Sequence, residues 1–573
     1  MIYLVSYACS LLAGTYFLGR DSALIGAIYF ASHFIFPILY FASLREWIIR
    51  AAKIVSKPIA SFVLKIVSPE TYLRPTVTVI IPSHNCVKFL REAVDSALDS
   101  VGVRVTVLII DDQSNDGSLE LAKRLSEEDN RVQVVVNHKS RGAYFCRNIG
   151  LQLATTEFVA FLDSDDWQEQ KRLQKQIAPM LRGKKIKATY CLTQRWSEDL
   201  LVPIQKELSL CHISPVFRRK TLDYVGYFDG VRFGADGEFR ARLIALFGEE
   251  SIPTINLQLY KARYRPNSLT SSGSGALLSI QDGILTHTPN EIRYRYSDSF
   301  RFWHSQTNHP YVPFPLKQRM FSFDSAENNT SPFLGERVIA FMTLDSESGI
   351  QLKASLSSIA SQVDELHIII ENEVRGLENW LPDNTNSHVL KDTQDRSRFG
   401  TQLKEASGYV LLLDGSFIYP RDYVARMLTE IEIHNRKVIV GAKALIFPRD
   451  IETNRKRKPP FVIDEISSSM GEWVDLLASG TIGFHSQTIS ITDTYPINTS
   501  TDNFDFAKQA LSAGVPLLSI RRPKKWIRKS SGSIKDLLTR GKVPAISDEV
   551  TNELRLSLGD QPRSLLLEKT QAG

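Results

Sequence analysis

Residues 157–166 read EFVAFLDSDD, and residues 408–417 read GYVLLLDGSF. Each is an apolar run that ends in acid. Such a continuous run is expected of a strand covered on both faces. Its polar tip then lies at the C-terminal edge of a parallel sheet, where α/β folds bind ligands. In the first copy Asp163 and Asp165 stand two apart, so in an extended chain both side chains point the same way. Asp166 adjoins them. Carboxylates crowded like this repel unless a cation or a proton lies between them. In the second copy Asp414 survives, but Ser416 and Phe417 replace the other acids. The pair predicts one metal-using site and one similar domain whose site is altered.

Working outward, strand and helix patterns alternate. TVTVIIP (76–82), VRVTVLII (103–110) and VQVVV (132–136) are apolar runs. Between them, Val87, Leu90, Ala93, Val94, Ala97 and Leu98 recur at helical spacing, as do Leu119, Leu121 and Leu125. This βαβα order predicts an α/β fold with a Rossmann-like, mostly parallel sheet. The pattern resumes at RVIAFMTL (337–344), and LKASLSS (352–358) repeats the spacing of LREAVDS (90–96). The chain therefore reads as two such domains in tandem. SSGSG (271–275) and a segment with four prolines at 305–335 read as a connector. The tail from 529 to 573 is basic and mixed.

The N-terminus differs. Residues 2–19 and 22–44 carry no charge, and Arg45, Arg50, Lys53, Lys57 and Lys65 follow. A membrane-spanning helix needs roughly 20 apolar residues, so these runs predict a hydrophobic helical hairpin with its basic flank in the cytoplasm. The first run lacks the basic start of a cleavable signal. A helical pair buried against the catalytic domain is the alternative. The 573 residues exceed one core. The net charge of +6 is too mild to indicate nucleic acid. Five cysteines show no paired spacing and read as reduced, buried thiols.

Four constellations could carry chemistry. Asp111 and Asp112 end the second strand. Ser114 or Asp116 there could simply cap a helix, but two adjacent acids could also accept hydrogen bonds from a nucleobase or ribose. No GxGxxG, phosphate loop or GxSxG elbow occurs. Arg147, between the third and fourth strands, is either a solvated helix arginine or a phosphate ligand. Asp163 and Asp165 suit Mg²⁺ or Mn²⁺, which prefer oxygen and often take only one or two carboxylates with substrate phosphates. Asp236, in GADGEFRAR (234–242), opens a helix, where a carboxylate stays ionised and could serve as cap or general base.

Taken in order and spacing, VIIPSHN, IIDDQSNDGS, RGAYFCRNIGL, FLDSDD and GADGEFRARL resemble the family 2 glycosyltransferases over about residues 74–272. The resemblance implies the GT-A fold and transfer of a sugar, with inversion, from a nucleotide diphosphate donor, UDP-linked by family habit. It implies that Pro82 and Asn85 line the donor site. Asp111 and Asp112 would bind nucleobase and ribose, and Arg147 would lie near the phosphates. Asp163 and Asp165 would form the DxD metal motif with Mn²⁺ or Mg²⁺, and Asp236 would be the base. Tyr264-Arg265 with Ser268 resembles the closing segment, which places Arg265 at the donor, although the histidine often found there is absent. YPRDYV (419–424), ASGTIGFH (478–485) and the Asp502/Asp505 region resemble a second, degenerate GT-A domain, with Asp502 its candidate base.

The expected organisation is a hairpin and linker at 1–70, a family 2 catalytic domain at 72–272, a connector at 273–335, a GT-A-like domain at 336–528 and a tail. The expected protein is a bacterial inner-membrane enzyme with cytoplasmic catalytic domains. It would build surface polysaccharide (capsule, exopolysaccharide or lipopolysaccharide) on a glycan or lipid-linked acceptor. It would be cytoplasmic and peripheral if the N-terminal helices are buried. Rivals are a bifunctional polymerase with two active domains, a non-catalytic glycan-binding scaffold and a nucleotidyltransferase. The last would carry a basic, Gly-rich loop where SHNCVKF stands.

Overall fold

The computed structural model describes residues 74–529, except 266–275, 282–283, 290, 324–329, 345–348, 371–380, 390–399, 447–460, 464–471, 479, 491–499 and 523–525. The expected hairpin, Ser268 and most of the tail lie outside the described residues. Residues 1–76 with 102–104 form one compact unit, of which only 74–76 and 102–104 are described. The second unit, 77–101 with 105–573, holds everything that follows. Among the described residues no helix is long and apolar enough to cross a membrane.

The first half alternates β1 (Thr76–Ser83), α1 (Val87–Leu98), β2 (Arg104–Asp112), α2 (Ser118–Glu128), β3 (Val132–Asn137), α3 (Ala143–Leu153) and β4 (Phe158–Phe161). Then come α4 (Arg172–Arg182), β5 (Ala188–Trp196), β6 (Val216–Arg218), α5 (Ala235–Phe247) and β7 (Thr254–Arg263). The sheet order is β3-β2-β1-β4-β6-β5-β7, with a two-residue strand at Trp167–Gln168 on the far edge. β2 pairs β3 and β1 pairs β4 in parallel, β6 is antiparallel to both neighbours, and β5 and β7 are again parallel. β1 and β4 are almost wholly buried, which is why they read as unbroken apolar runs. The strand tips at 82–86, 112 and 162–166 therefore open on one edge, the usual ligand edge.

α6 (Glu291–Gln306) follows, inside the range read as connector. It packs on the first half: the Tyr296 hydroxyl donates to Asp229 at 3.1 Å, and His304 Nε2 meets Glu238 at 3.0 Å. Residues 310–335 continue along the same surface, with Tyr227 N donating to Val312 O and Thr330 N to Gly230 O. Only Tyr296 and Phe300 of α6 are buried, too few to show as an apolar stripe in the sequence.

The second half lays down β8 (Val338–Leu344), α7 (Gly349–Ile359), β9 (Glu365–Ile370), β10 (Thr385–Val389), β11 (Tyr409–Asp414), α8 (Tyr423–Ile433), β12 (Ile439–Gly441), β13 (Thr481–His485) and β14 (Leu517–Ser519). Its sheet order is β10-β9-β8-β11-β13-β12-β14. The order and the sense of every pairing repeat the first sheet, including the antiparallel β13 and the final parallel β12–β14 pair. One apolar cluster runs through both halves, from Ile80 and Phe161 to Tyr409 and Met427. Phe145, Phe314, Phe333 and Tyr409 link them ring to ring at 5.6–6.0 Å. Each such aromatic, once buried, contributes about 1.5–3 kcal/mol.

Candidate active site

The strand tips, the start of α3, α5 and α6 enclose a cavity of about 1850 Å³. Pro82, at the end of β1, lines it. Asn85 does not. It is exposed, and its Oδ1 accepts from Asn115 N at 2.9 Å, tying the β1–α1 turn to the loop after β2.

The two acids at the end of β2 do different things. Asp111 is fully buried, and one carboxylate oxygen accepts from Ser114 N at 3.0 Å. The other oxygen, Oδ1, has no hydrogen-bond partner. Burial first, then the neighbouring Asp112, pushes this carboxyl up, against hydrogen bonds from Ser114. Asp112 is saturated. It accepts from Asn137 Nδ2 at 2.7 Å, the Ser140 hydroxyl at 3.0 Å, Arg141 N at 2.9 Å and Gly142 N at 2.7 Å. The loop 137–142 is thus wound around one carboxylate. Gly142 has φ of 87°, which an L side chain rarely adopts, and this lets the chain turn from that loop into α3.

α3 then carries Tyr144 and Arg147, three residues apart on one face. The Arg147 guanidinium is buried, ion-paired with Asp163, and 5.1 Å from the Tyr144 ring. Asp165 Oδ2 meets Arg265 Nη2 at 2.6 Å. Asp166 also lines the cavity: its carboxylate accepts from Arg263 N at 2.7 Å, and burial, then Asp165 and Asp163, drives its carboxyl well up. Burial also raises Asp165, and Arg265 opposes this. Among the described residues no three His, Cys, Asp or Glu side chains are grouped to hold a metal. The carboxylates of Asp163 and Asp165 are an all-oxygen set suited to Mg²⁺ or Mn²⁺, but a short one. A cation there would take most of its shell from substrate phosphate and water.

Asp236 opens α5 and faces the same cavity. The Tyr144 hydroxyl donates to its Oδ1 at 2.7 Å. Burial pushes its carboxyl up, but His212, the Tyr144 hydrogen bond, Arg293 and Arg147 outweigh this and hold it below the ordinary value. Asp236 is therefore ionised at neutral pH. The structure brings together Pro82, Asp112, Arg147, Asp163, Asp165, Arg265 and Asp236 around one cavity, with exposed Asn85 and buried Asp111 outside its lining. Sequence reasoning missed Tyr144, His212 and Arg293. Tyr144 was legible as the i−3 neighbour of Arg147. His212 and Arg293 lie far from any motif and reach Asp236 only through the fold. The four described cysteines, Cys86, Cys146, Cys191 and Cys211, are free and buried. In the second half, Asp414 accepts from Ser416 N at 2.8 Å.

The family model for Glycosyl transferase family 2 matches residues 78–230. A Bacillus subtilis (strain 168) protein named for teichuronic acid biosynthesis, the glycosyltransferase TuaG, is 36% identical over 111 residues, 19% of this chain and 44% of its own. The Escherichia coli UDP-Glc:alpha-D-GlcNAc-diphosphoundecaprenol beta-1,3-glucosyltransferase WfgD is 34% identical over 107 residues, 19% of this chain and 42% of its own. The chain spans less than half the length of either relative. Among solved structures, S. aureus TarS 1-349 in complex with UDP-GlcNAc matches at 21% identity over 35% of this chain and 61% of that one. Its TM-score is 0.29, a likeness too small to argue from. On the family match and the identity to these relatives, residues 78–230 form a family 2 glycosyltransferase domain.

Proposed function

We propose that the first half moves a sugar from a nucleotide diphosphate donor to a hydroxyl of an acceptor, inverting the anomeric centre. The observation that carries this reading is one cavity lined both by an ionised Asp236 and by the Arg147–Asp163 and Arg265–Asp165 pairs. Asp236 takes the proton of the acceptor hydroxyl as that oxygen attacks C1. Its lowered pKa means the proton moves late, as the hydroxyl acidifies in the transition state. The nucleoside diphosphate leaves from the opposite face, so a single displacement inverts the centre. Arg147 and Arg265 offer the leaving diphosphate charge-assisted donors. A divalent cation beside Asp165 would supply further neutralisation of that leaving group. Asp112 lines the cavity and winds loop 137–142 beside it, whereas Asp111, fully buried, would meet a nucleobase or ribose only if the β2 tip shifted.

The relatives named for teichuronic acid biosynthesis and for a diphosphoundecaprenol acceptor support bacterial surface polysaccharide as the product and UDP as the first nucleotide to test. Such acceptors are membrane-bound, which favours work at the cytoplasmic face of the inner membrane. The second half serves the first as a support: buried Glu432 of α8 meets Arg141 of the Asp112 loop at 2.6 Å.

The test is nucleoside diphosphate release from a panel of nucleotide sugars with Mn²⁺ or Mg²⁺. Wild type is run beside Asp165→Ala, Asp236→Asn and Asp414→Asn. Metal-dependent release lost in the first two and kept in the third is the expected result. Loss in Asp414→Asn alone would move the chemistry to the second half. No release with any donor, even with crude acceptor glycan, would favour a binding scaffold.

A further inference from the structure

One side chain touches both the base and an arginine paired with the metal-motif acids. Tyr144, the second residue of α3, is buried and lines the cavity. Its hydroxyl donates to Asp236 Oδ1 at 2.7 Å. Its ring lies under the Arg147 guanidinium, 5.1 Å from the ring centre. Helix geometry allows both contacts at once. Residues three apart on α3 share a face, so Arg147 can lie over the ring while the phenol tip reaches on to α5.

Each contact gives its recipient a fixed point. His212, Arg293 and Arg147 act on Asp236 through charge, which does not set the rotation of a carboxylate, whereas the Tyr144 hydroxyl meets one particular oxygen. Burial, then Asp236, drives the Tyr144 phenol well up, so it keeps its proton and donates. Arg147 has its Nη2 on Asp163 and its buried Nε without an acceptor. A single ion pair lets a guanidinium pivot, and the ring face adds a second support. The ring is itself braced by Phe228, whose centre is 5.5 Å away.

We propose that Tyr144 is a positioning residue for both reactants: its hydroxyl turns Asp236 so that Oδ2 meets the acceptor hydroxyl, and its ring holds Arg147 for the donor diphosphate. This rests on the transferase reading, in which Asp236 is the base and Arg147 serves the phosphates. The two duties are separable, because the hydroxyl serves proton transfer and the ring serves binding. Phenylalanine at this position keeps the ring and loses the hydroxyl. Leucine loses both.

Turnover is read as nucleoside diphosphate release from the most active donor of the panel, and donor affinity by calorimetric titration of the full chain with UDP and Mn²⁺. Tyr144→Phe lowers kcat about tenfold or more while donor KM and UDP affinity stay, because only a hydrogen bond to a charged group is lost. Its acid limb moves up, since the hydroxyl helps to hold Asp236 below its ordinary value. A tyrosine that only filled space would not move that limb. Tyr144→Leu shows the same loss of kcat and also binds UDP about tenfold more weakly. Phe228→Leu controls for lost packing beside the ring: it melts lower and keeps UDP affinity and the acid limb. If the leucine variant at 144 does not fold, Tyr144→Met takes its place. Wild-type kcat or an unmoved limb in Tyr144→Phe overturns the proposal. So does a Tyr144→Leu that binds UDP as tightly as Tyr144→Phe, or a Phe228→Leu that binds it as weakly as Tyr144→Leu. Release from no donor, Asp236→Asn with wild-type kcat, or Arg147→Gln with wild-type UDP affinity places the fault in the transferase reading instead.

Discussion

The contact between α8 and the Asp112 loop invites a quantitative test. Glu432 is fully buried. Its carboxylate accepts from Arg141 Nη2 at 2.6 Å, Arg436 Nε at 2.5 Å and the Tyr409 hydroxyl at 2.6 Å. Glu432→Gln keeps the shape and removes the charge. Taking one partner from a buried pair costs about 3–5 kcal/mol. Arg436 keeps Glu336 at 2.9 Å, and the Arg141 side chain is 14% exposed, so we expect the low end, about 3 kcal/mol. Asp422→Asn is the control: Asp422 is 45% exposed beside Arg426 and is expected to cost below about 1 kcal/mol. Denaturant midpoints read both, and a double-mutant cycle with Arg141→Gln isolates the pair. Nucleoside diphosphate affinity is the second readout. If the loop is formed in one molecule in ten without its prop, the apparent affinity falls about tenfold. A Glu432→Gln cost no larger than that of Asp422→Asn, or an unchanged nucleotide affinity, would refute the reasoning.

Asp236→Asn should lower kcat/KM by roughly 10²–10⁴ while nucleotide affinity stays, because only the proton acceptor is lost. The Asp236 carboxyl is held below its ordinary value. Its stabilising effect is therefore complete above the ordinary carboxylate range and lost as pH falls through the lowered value. The acid limb of the rate should lie correspondingly low, and Tyr144→Phe should move it upward; an unmoved limb would separate it from Asp236. Burial, then His138 and Arg521, holds the His434 imidazole well below its usual value, with the His138 ring 5.2 Å away. An unfolded histidine binds its proton first, so stability should fall below about pH 6.5, by at most about 1.4 kcal/mol per pH unit per histidine. Melting curves between pH 6.5 and 5 should flatten in His434→Gln, and equal slopes would contradict this. A Cβ at Gly150 would lie 2.4 Å from Ile80 Cγ2, so Gly150→Ala should cost about 1–3 kcal/mol, whereas Gly183→Ala meets open space and should be near neutral by the same melts.

What the sequence made legible was whatever depends on local pattern. β1, β2, β4, β8 and β11 are buried on both faces, so their apolar runs stand out without context. The acid tips follow because parallel strands end at one edge. The doubled topology was readable from two seven-residue helix segments and two acid-ended strands. The rest depends on distance in the chain. α6 buries only two residues, and its charged face looks like solvent-facing helix until α5 is packed against it. The different fates of Asp111 and Asp112 follow from how Asn137, Ser140, Arg141 and Gly142 fold back, which adjacent identical residues cannot reveal. Glu432 reads as an ordinary helix glutamate; only the fold brings it Tyr409 and, from nearly 300 residues upstream, Arg141 of loop 137–142.

The ring-to-ring path from Phe145 through Phe314 and Phe333 to Tyr409 has a consequence for how the chain lives in a cell. A protease cut near residue 335, or a gene truncated there, does not release a finished catalytic fragment. It uncovers aromatic surface and leaves the donor loop without its glutamate. Where the first copy has acids, the second has Ser416 and Phe417. On the proposed reading a change at Tyr409, Glu432 or Arg436 of the second half is nevertheless felt in the first, through Arg141 and the Asp112 loop.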